Sequence, residues 1–187
     1  GRVPRSKGLG RAGARAGDEL WASGTIGDAA IGLLAARGKL NRLGLRDRKF
    51  LERRYRLPLP RTALGRRLIG IARATADVSD GLLADAGHIA AASRLAVHIE
   101  RDRVPLSTAT RRALAADPGL WPTVLGGGDD YELVIAVSPR RARALINAAR
   151  LADVEVTRIG RFASGRGVRL TAAGGAVAVP QAGYVHF

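Results

Sequence analysis

The segment ADVSDGLLAD, residues 76–85, carries carboxylates at Asp77 and Asp80 around a predicted strand-to-helix junction. Carboxylate oxygens are the ligands that hard divalent cations prefer, and the free N–H groups at a helix start bind phosphate oxygens. Gly81 allows another group to approach the backbone closely. Taken alone, the pattern is more simply a helix N-cap at Ser79 or Asp80 beside a surface aspartate.

A second segment, LGGGDDYELVIAV at residues 125–137, joins three glycines to two acids and an apolar strand. The glycines leave room for a ligand, and Asp129 and Asp130 have the chemistry to bind a metal ion or a cationic ring. A glycine-rich turn with both acids on its exposed edge explains the same residues equally well. Because Gly-Lys-Ser/Thr is missing, the segment is not a Walker loop.

Other catalytic chemistry has little support in this sequence. The absence of cysteine excludes thiolate nucleophiles, disulfides and cysteine-based metal sites. His88, His98 and His186 show no ligand spacing, and His88 is interpreted as structural because apolar residues surround it on a predicted helix.

The net charge of +15 suggests a polyanionic partner, but it is concentrated in two blocks. Residues 1–16 contribute +5 and residues 37–73 contribute +11, so the remainder is nearly neutral. Much of the excess is arginine, which a GC-rich genome also produces. Residues 53–67 are interpreted as a solvated face, and the scarcity of aromatic residues argues against binding of single-stranded nucleic acid.

The elements that must position the two acidic segments alternate between strands and helices. The patterns predict strands near residues 18–24, 74–78, 97–99, 131–137, 154–162, 168–171 and 176–179, and helices over 28–37, 63–72, 79–93, from 107, and 139–150. Asp28 and Ser107 are predicted to be the N-caps of their helices. This order predicts an α/β or α+β domain with a mixed β-sheet packed with helices. Residues 1–17 are predicted to be a flexible basic lead-in, with the domain over residues 18–187.

Five segments together resemble the bacterial thiamine-monophosphate kinase family, within the aminoimidazole ribonucleotide synthetase superfamily. They are SGTIGDAAIGLL (23–34), PLPRTALGRRL (58–68), ADVSDGLLADAGHIAAAS (76–93), GGGDDYELVIAVSP (126–139) and GYVHF (183–187). The resemblance implies the synthetase-like C-terminal fold and ATP-dependent phosphorylation of thiamine phosphate to thiamine diphosphate. It also implies several Mg²⁺ ions, a cytoplasmic homodimer and no nucleic-acid or membrane partner.

The resemblance assigns roles to five residues by motif position. It implies that Asp77 and Asp80 bind Mg²⁺ and that Ser79 contacts the nucleotide. Asp129 and Tyr184 are implied to bind the thiamine substrate, with the tyrosine ring against the cationic ring system.

The sequence departs from the family pattern at four points. Asp129 stands where the family has Glu, Val185 where an acid is usual, and Arg94 where the family has Gly. The family's N-terminal domain, which supplies much of the ATP site and the dimer interface, is not in this chain. The chain is therefore expected to be a C-terminal fragment that is inactive alone. Another ATP-dependent domain of the superfamily and a basic nucleic-acid-binding module are the alternatives.

Overall fold

The computed structural model describes residues 8–173 and 175–178. Within them the strands are β1 (Glu19–Ser23), β2 (Ala74–Asp77), β3 (Ala96–Glu100), β4 (Leu133–Val137), β5 (Val156–Ala163), β6 (Gly167–Ala172) and β7 (Gly175–Val177). The helices are α1 (Asp28–Ala36), α2 (Leu45–Arg56), α3 (Thr62–Arg67), α4 (Leu82–Ala92), α5 (Thr108–Ala116), α6 (Trp121–Gly126) and α7 (Ala142–Arg150).

The strands form one mixed sheet in the order β2-β4-β1-β5-β3-β6-β7. β3 and β6 run parallel, whereas the other neighbouring pairs in this order run antiparallel. The predicted fold class, a mixed sheet packed with helices, is confirmed. β1 and β4 are neighbours in this sheet, and both are covered on two faces.

Alternate residues of β1 and β4 enter two different cores. Leu20 of β1 and Val134 of β4 pack with α4 on one face. Trp21 and Ile135, their next neighbours along the chain, pack with α3 and α7 on the other face. This alternation follows from the two-residue period of a strand.

A third core lies among helices α1, α2, α5 and α6 and contains Ile31, Leu51 and Val124. The sequence analysis did not predict α2 because this part of the chain is rich in arginine. Its helical backbone packs very closely on α1: a Cβ atom at Gly32 would overlap the carbonyl oxygen of Leu51. A single glycine therefore allows a highly basic helix to pack against the domain.

Helix starts differ from the sequence prediction at two of three sites. Ser107 caps α5 as predicted, with its Oγ accepting the N–H of Thr110 at 3.1 Å. The N-cap of α1 is Gly27, so Asp28 is the first helical residue. The N-cap of α4 is Gly81, two residues beyond Ser79. Both glycines have positive φ, which explains why these positions are not occupied by the usual polar caps.

Two further observations concern the chain as a whole. Residues 8–17, part of the predicted lead-in, contact the domain: Gly10 O accepts the N–H of Thr75 at 3.0 Å, and Ser93 Oγ accepts the N–H of Ala14 at 3.1 Å. Among the described helices, none combines the length and apolar character that crossing a membrane requires.

Candidate functional site

The two acidic segments lie side by side at one end of the sheet. The N–H of Asp129 donates to the carbonyl oxygen of Ser79 at 3.1 Å, and the N–H of Tyr131 donates to Val78 O at 3.0 Å. In return, the N–H of Val78 donates to Glu132 O at 2.8 Å. These three backbone hydrogen bonds join residues 77–81, which we call the aspartate loop, to residues 126–132, which we call the glycine loop.

The glycines of both loops are required by this close approach. A Cβ atom at Gly128 would overlap the carbonyl oxygen of Ser79, and one at Gly81 would meet the carbonyl oxygen of Gly126 at 2.5 Å. Gly81 also has φ of 111°, a conformation that other residues rarely adopt. The glycines therefore bring the two loops together, in addition to any space that they leave for a ligand.

The structure brings four of the five predicted site residues to this pair of loops. Asp77 is exposed at the end of β2, and Ser79 and Asp80 are half-buried in the aspartate loop. Asp129 is exposed in the glycine loop, with φ of 68°. Tyr184 lies outside the described residues.

Asp85, to which the sequence analysis gave no role, binds the backbone of the aspartate loop. Its side chain is fully buried, and its Oδ2 accepts the N–H groups of Ser79 at 3.1 Å and Asp80 at 3.0 Å. Burial raises the pKa of Asp85, and the hydrogen bond from the Asp80 backbone partly opposes that shift. The carboxylate thus takes the place of a side-chain cap for the turn before α4.

Asp130 was a candidate ligand for a metal ion or a cationic ring, but its carboxylate is committed to the protein interior. Its oxygens accept the N–H of Gly27 at 2.6 Å and of Ala29 at 2.9 Å, at the start of α1. Burial, together with the negative charge of nearby Asp28, raises the pKa of Asp130 to about 7, although these two hydrogen bonds oppose the shift. The alternative that placed both acids on an exposed edge is wrong for Asp130, and its inward-facing carboxylate caps a helix instead of facing a ligand.

Glu132 is the centre of a buried ion-pair network that sequence reasoning missed. Its carboxylate accepts from Ser23 Oγ at 2.6 Å, from Arg61 Nε at 2.7 Å and from Arg54 Nη2 at 3.1 Å. Arg61 binds both carboxylate oxygens, and this contact raises the pKa of its guanidinium. A glutamate directly before a fully apolar strand was the available sequence signal.

Asp28 extends this network toward α5. It accepts hydrogen bonds from Thr25 Oγ1 at 2.6 Å, Thr110 Oγ1 at 2.7 Å and Ser107 Oγ. The Nε atom of Arg54 lies 3.6 Å from its Oδ2. Asp28 and Glu132 are both inaccessible to solvent, and Arg54 connects them.

The interpretation of residues 53–67 as a solvated face is therefore wrong for two of its arginines. The side chains of Arg54 and Arg61 are 12% and 20% exposed, and both are paired with buried acids. Leu64, in the same segment, is fully buried. Part of the basic block thus balances internal negative charge, which weakens the nucleic-acid interpretation.

Comparison with known proteins identifies the family to which this chain belongs. Residues 15–173 match the family model described as "AIR synthase related protein, C-terminal domain". The chain belongs to this family. Both the aspartate loop and the glycine loop lie inside the matched region, as does the whole ion-pair network.

Several curated proteins that are similar to this chain carry the name thiamine-monophosphate kinase. A curated protein of Caulobacter vibrioides named thiamine-monophosphate kinase is 42% identical over 189 residues, covering all of this chain and 53% of that protein. The crystal structure of thiamine-monophosphate kinase from Stenotrophomonas maltophilia K279a has a TM-score of 0.82 and 44% identity, covering 94% of this chain and 56% of that one. A complex of AaThiL with AMPPCP and TMP has a TM-score of 0.78 and 30% identity, covering 96% and 54%.

The chain therefore spans about half the length of the relatives that it matches. The resemblance found from the five sequence segments is confirmed, and the predicted synthetase-like C-terminal fold is confirmed with it.

Proposed function

We propose that this chain is the C-terminal part of an enzyme that transfers a phosphoryl group from ATP to thiamine phosphate, forming thiamine diphosphate. The observation that carries the proposal is the backbone pairing of the aspartate loop with the glycine loop. It sets Asp77, Ser79 and Asp80 beside Asp129. Phosphoryl transfer depends mainly on positioning and on neutralising charge, so neighbouring groups for the metal, the nucleotide and the acceptor are what it requires.

The residues of the aspartate loop have the chemistry for Mg²⁺ and nucleotide. Asp77 is exposed and Asp80 half-buried, so their oxygens, which are hard ligands, are accessible to a cation. When bound, Mg²⁺ ions would neutralise the phosphate oxygens of both substrates. Ser79, between the two acids, would contact the nucleotide, and no covalent phosphoenzyme is involved.

The acceptor would lie against the glycine loop. Asp129 is exposed there and offers a carboxylate to the cationic thiamine substrate. Tyr184, which lies outside the described residues, would pack on the ring system of the substrate. The related kinases with curated names support this assignment of substrate, since the match extends over the whole chain.

We further propose that the other half of the complete protein supplies much of the ATP site, further Mg²⁺-binding acids and the interface of a homodimer. The complete enzyme would act in the cytoplasm. On this proposal the present chain holds half of a shared active site and does not turn over alone.

The test is an assay of the complete enzyme with ATP, Mg²⁺ and each of three acceptors: thiamine phosphate, thiamine and an aminoimidazole precursor. We expect thiamine diphosphate and ADP to form in equal amounts from thiamine phosphate, and neither of the other acceptors to react at a comparable rate. Preference for the aminoimidazole precursor would instead identify a synthetase of the same superfamily. Residues 1–187 alone should give no turnover, and robust activity from them would contradict the shared-site proposal.

A further inference from the structure

Two residues of the glycine loop hold a strained backbone conformation. Asp129 and Tyr131 have φ of 68° and 52°, in the left-handed region that glycine occupies freely and other residues rarely enter. Such a conformation costs stability and persists only where the surrounding structure holds it, so it often marks a site where function requires it. Asp129 is the exposed acid of this loop, and its position therefore depends on what holds the residues around it.

The carboxylate of Glu132 anchors the loop directly after Tyr131. Arg61 donates to it through two nitrogens, Nε at 2.7 Å and Nη2, and Arg54 donates through its own Nη2 at 3.1 Å. Arg61 lies at the start of α3 and Arg54 lies on α2, so two helices fix one side chain of the loop. The surrounding backbone leaves space for this carboxylate, because a Cβ atom at Gly24 would overlap it.

Positioning explains this ion pair better than stability alone. The desolvation of a buried carboxylate and guanidinium can cancel their attraction, so such a pair adds little net stability compared with apolar packing. What a planar guanidinium supplies is direction, since two parallel N–H···O bonds fix both the distance and the angle of the carboxylate. Arg61 makes this bidentate contact, whereas Arg54 is shared between Glu132 and Asp28.

We propose that Arg61 is a positioning residue: through Glu132 it holds the glycine loop so that the carboxylate of Asp129 faces the acceptor. The inference rests on the proposed function, because Asp129 meets the acceptor only on that proposal. The aspartate loop has a separate support in Asp85, whose carboxylate accepts two backbone N–H groups of that loop. Loss of the bidentate contact of Arg61 should therefore impair acceptor binding and leave metal and nucleotide binding intact.

Arg61→Lys in the complete enzyme tests the proposal, because lysine keeps the charge and loses the bidentate contact. We expect the KM for thiamine phosphate to rise about tenfold, with kcat, the KM for ATP and the Mg²⁺ dependence within about twofold of the wild type. Arg112→Lys is the matched control and should leave all four unchanged. Arg112 also binds both oxygens of one carboxylate, that of Asp47, but at the surface.

A double-mutant cycle tests whether Arg61 acts through Asp129. Asp129→Asn removes the carboxylate and keeps a side chain that tolerates a positive φ, so it should raise the acceptor KM by itself. Adding Arg61→Lys should then raise it no further, and effects of the two substitutions that simply multiply would overturn the proposal. Leu170→Val, in the buried core on β6, controls for general loss of stability. A rise in acceptor KM in Leu170→Val equal to that in Arg61→Lys would also overturn it.

Hydrogen exchange of the glycine loop gives a readout that does not need the acceptor. The N–H groups of Asp129 and Tyr131 donate to carbonyl oxygens of the aspartate loop, so they exchange slowly while the loop is held. We expect their exchange to be at least about tenfold faster in Arg61→Lys and unchanged in Arg112→Lys and Leu170→Val. Unchanged exchange in a folded Arg61→Lys variant would contradict the positioning role. If the wild type leaves thiamine phosphate unreacted, the proposed function fails, and the exchange result still decides whether Arg61 holds the loop.

Discussion

The acids of this domain fall into two regions that differ in what surrounds them. Around Asp28 and Glu132, the protein itself supplies serine, threonine and arginine donors to carboxylates that water does not reach. At the loop pair, Asp77 and Asp129 are exposed. The comparison teaches that burial with a full set of partners marks a structural carboxylate, whereas an accessible carboxylate on a rigid loop is available to a ligand.

The two kinds of acid are interleaved within four consecutive residues of the glycine loop. Asp129 is exposed, whereas Asp130 and Glu132 are buried. Positive φ at Asp129 and Tyr131, of 68° and 52°, turns the backbone so that neighbouring acids face opposite sides. The sequence motif therefore combines one solvent-exposed acid with two buried acids that hold the loop in place.

The largest effect on stability should come from Glu132→Gln. The change leaves Arg54 and Arg61 without their carboxylate partner in a largely buried setting, which costs about 3–5 kcal/mol in the free energy of unfolding. Urea-induced unfolding measures it. Asp47→Asn is the control, because Asp47 pairs with Arg112 at the surface and should lose at most about 1 kcal/mol. Equal losses in the two variants would remove the distinction between the regions.

Asp77→Asn and Asp80→Asn in the complete enzyme should lower activity and leave stability nearly unchanged. We expect kcat/KM to fall by about a hundredfold or more, equivalent to about 2.7 kcal/mol, because Mg²⁺ binding is weakened. The free energy of unfolding should change by no more than about 0.5 kcal/mol. Activity measured against Mg²⁺ concentration checks the cause. An unchanged Mg²⁺ dependence would contradict the assignment of these two ligands.

Asp130→Asn should have a smaller effect that depends on pH. Weakened capping of α1 costs about 0.5–2 kcal/mol. Because burial raises the pKa of Asp130 from 3.8 to about 7, the folded state binds a proton more tightly than the unfolded state. The Asp130 contribution to stability is therefore complete below about pH 4 and is lost as the pH rises to about 7.

Unfolding curves across this pH range measure that contribution. The wild type should lose stability more steeply than Asp130→Asn as the pH rises, and the two should run parallel above about pH 8. Parallel curves throughout the range would show that Asp130 is not the group responsible.

The smallest effect is expected for Asp129→Glu, which introduces the residue that the family resemblance implies at this position. Aspartate adopts a positive φ more readily than glutamate, so the change costs up to about 1 kcal/mol of stability. The longer side chain should lower the KM for thiamine phosphate a few fold in the complete enzyme. Asp153→Glu, at another aspartate with positive φ of 53°, controls for the backbone effect and should leave KM unchanged.

Much of the fold was predictable where side-chain spacing is strong. The buried face of α4, with Leu82, Leu83, Ala86, Ile89 and Ala90, agrees with its three- and four-residue spacing. The serine cap of α5 was also predicted. Helix α2 was not, because its mean composition is polar and Leu51 is its single buried residue among the twelve. Packing against α1 determines that helix more than periodicity does.

The sequence alone determined the family, the fold class and the two segments that form the candidate site. These follow from local residue types and short spacings, which are preserved whatever the rest of the chain does. Only the tertiary structure decided which acids face solvent. Asp28 and Glu132 accept hydrogen bonds from side chains that lie 71 to 109 residues away in the sequence. Burial and charge pairing at such separations arise from packing, because strands and helices that are distant in the chain bring those groups together.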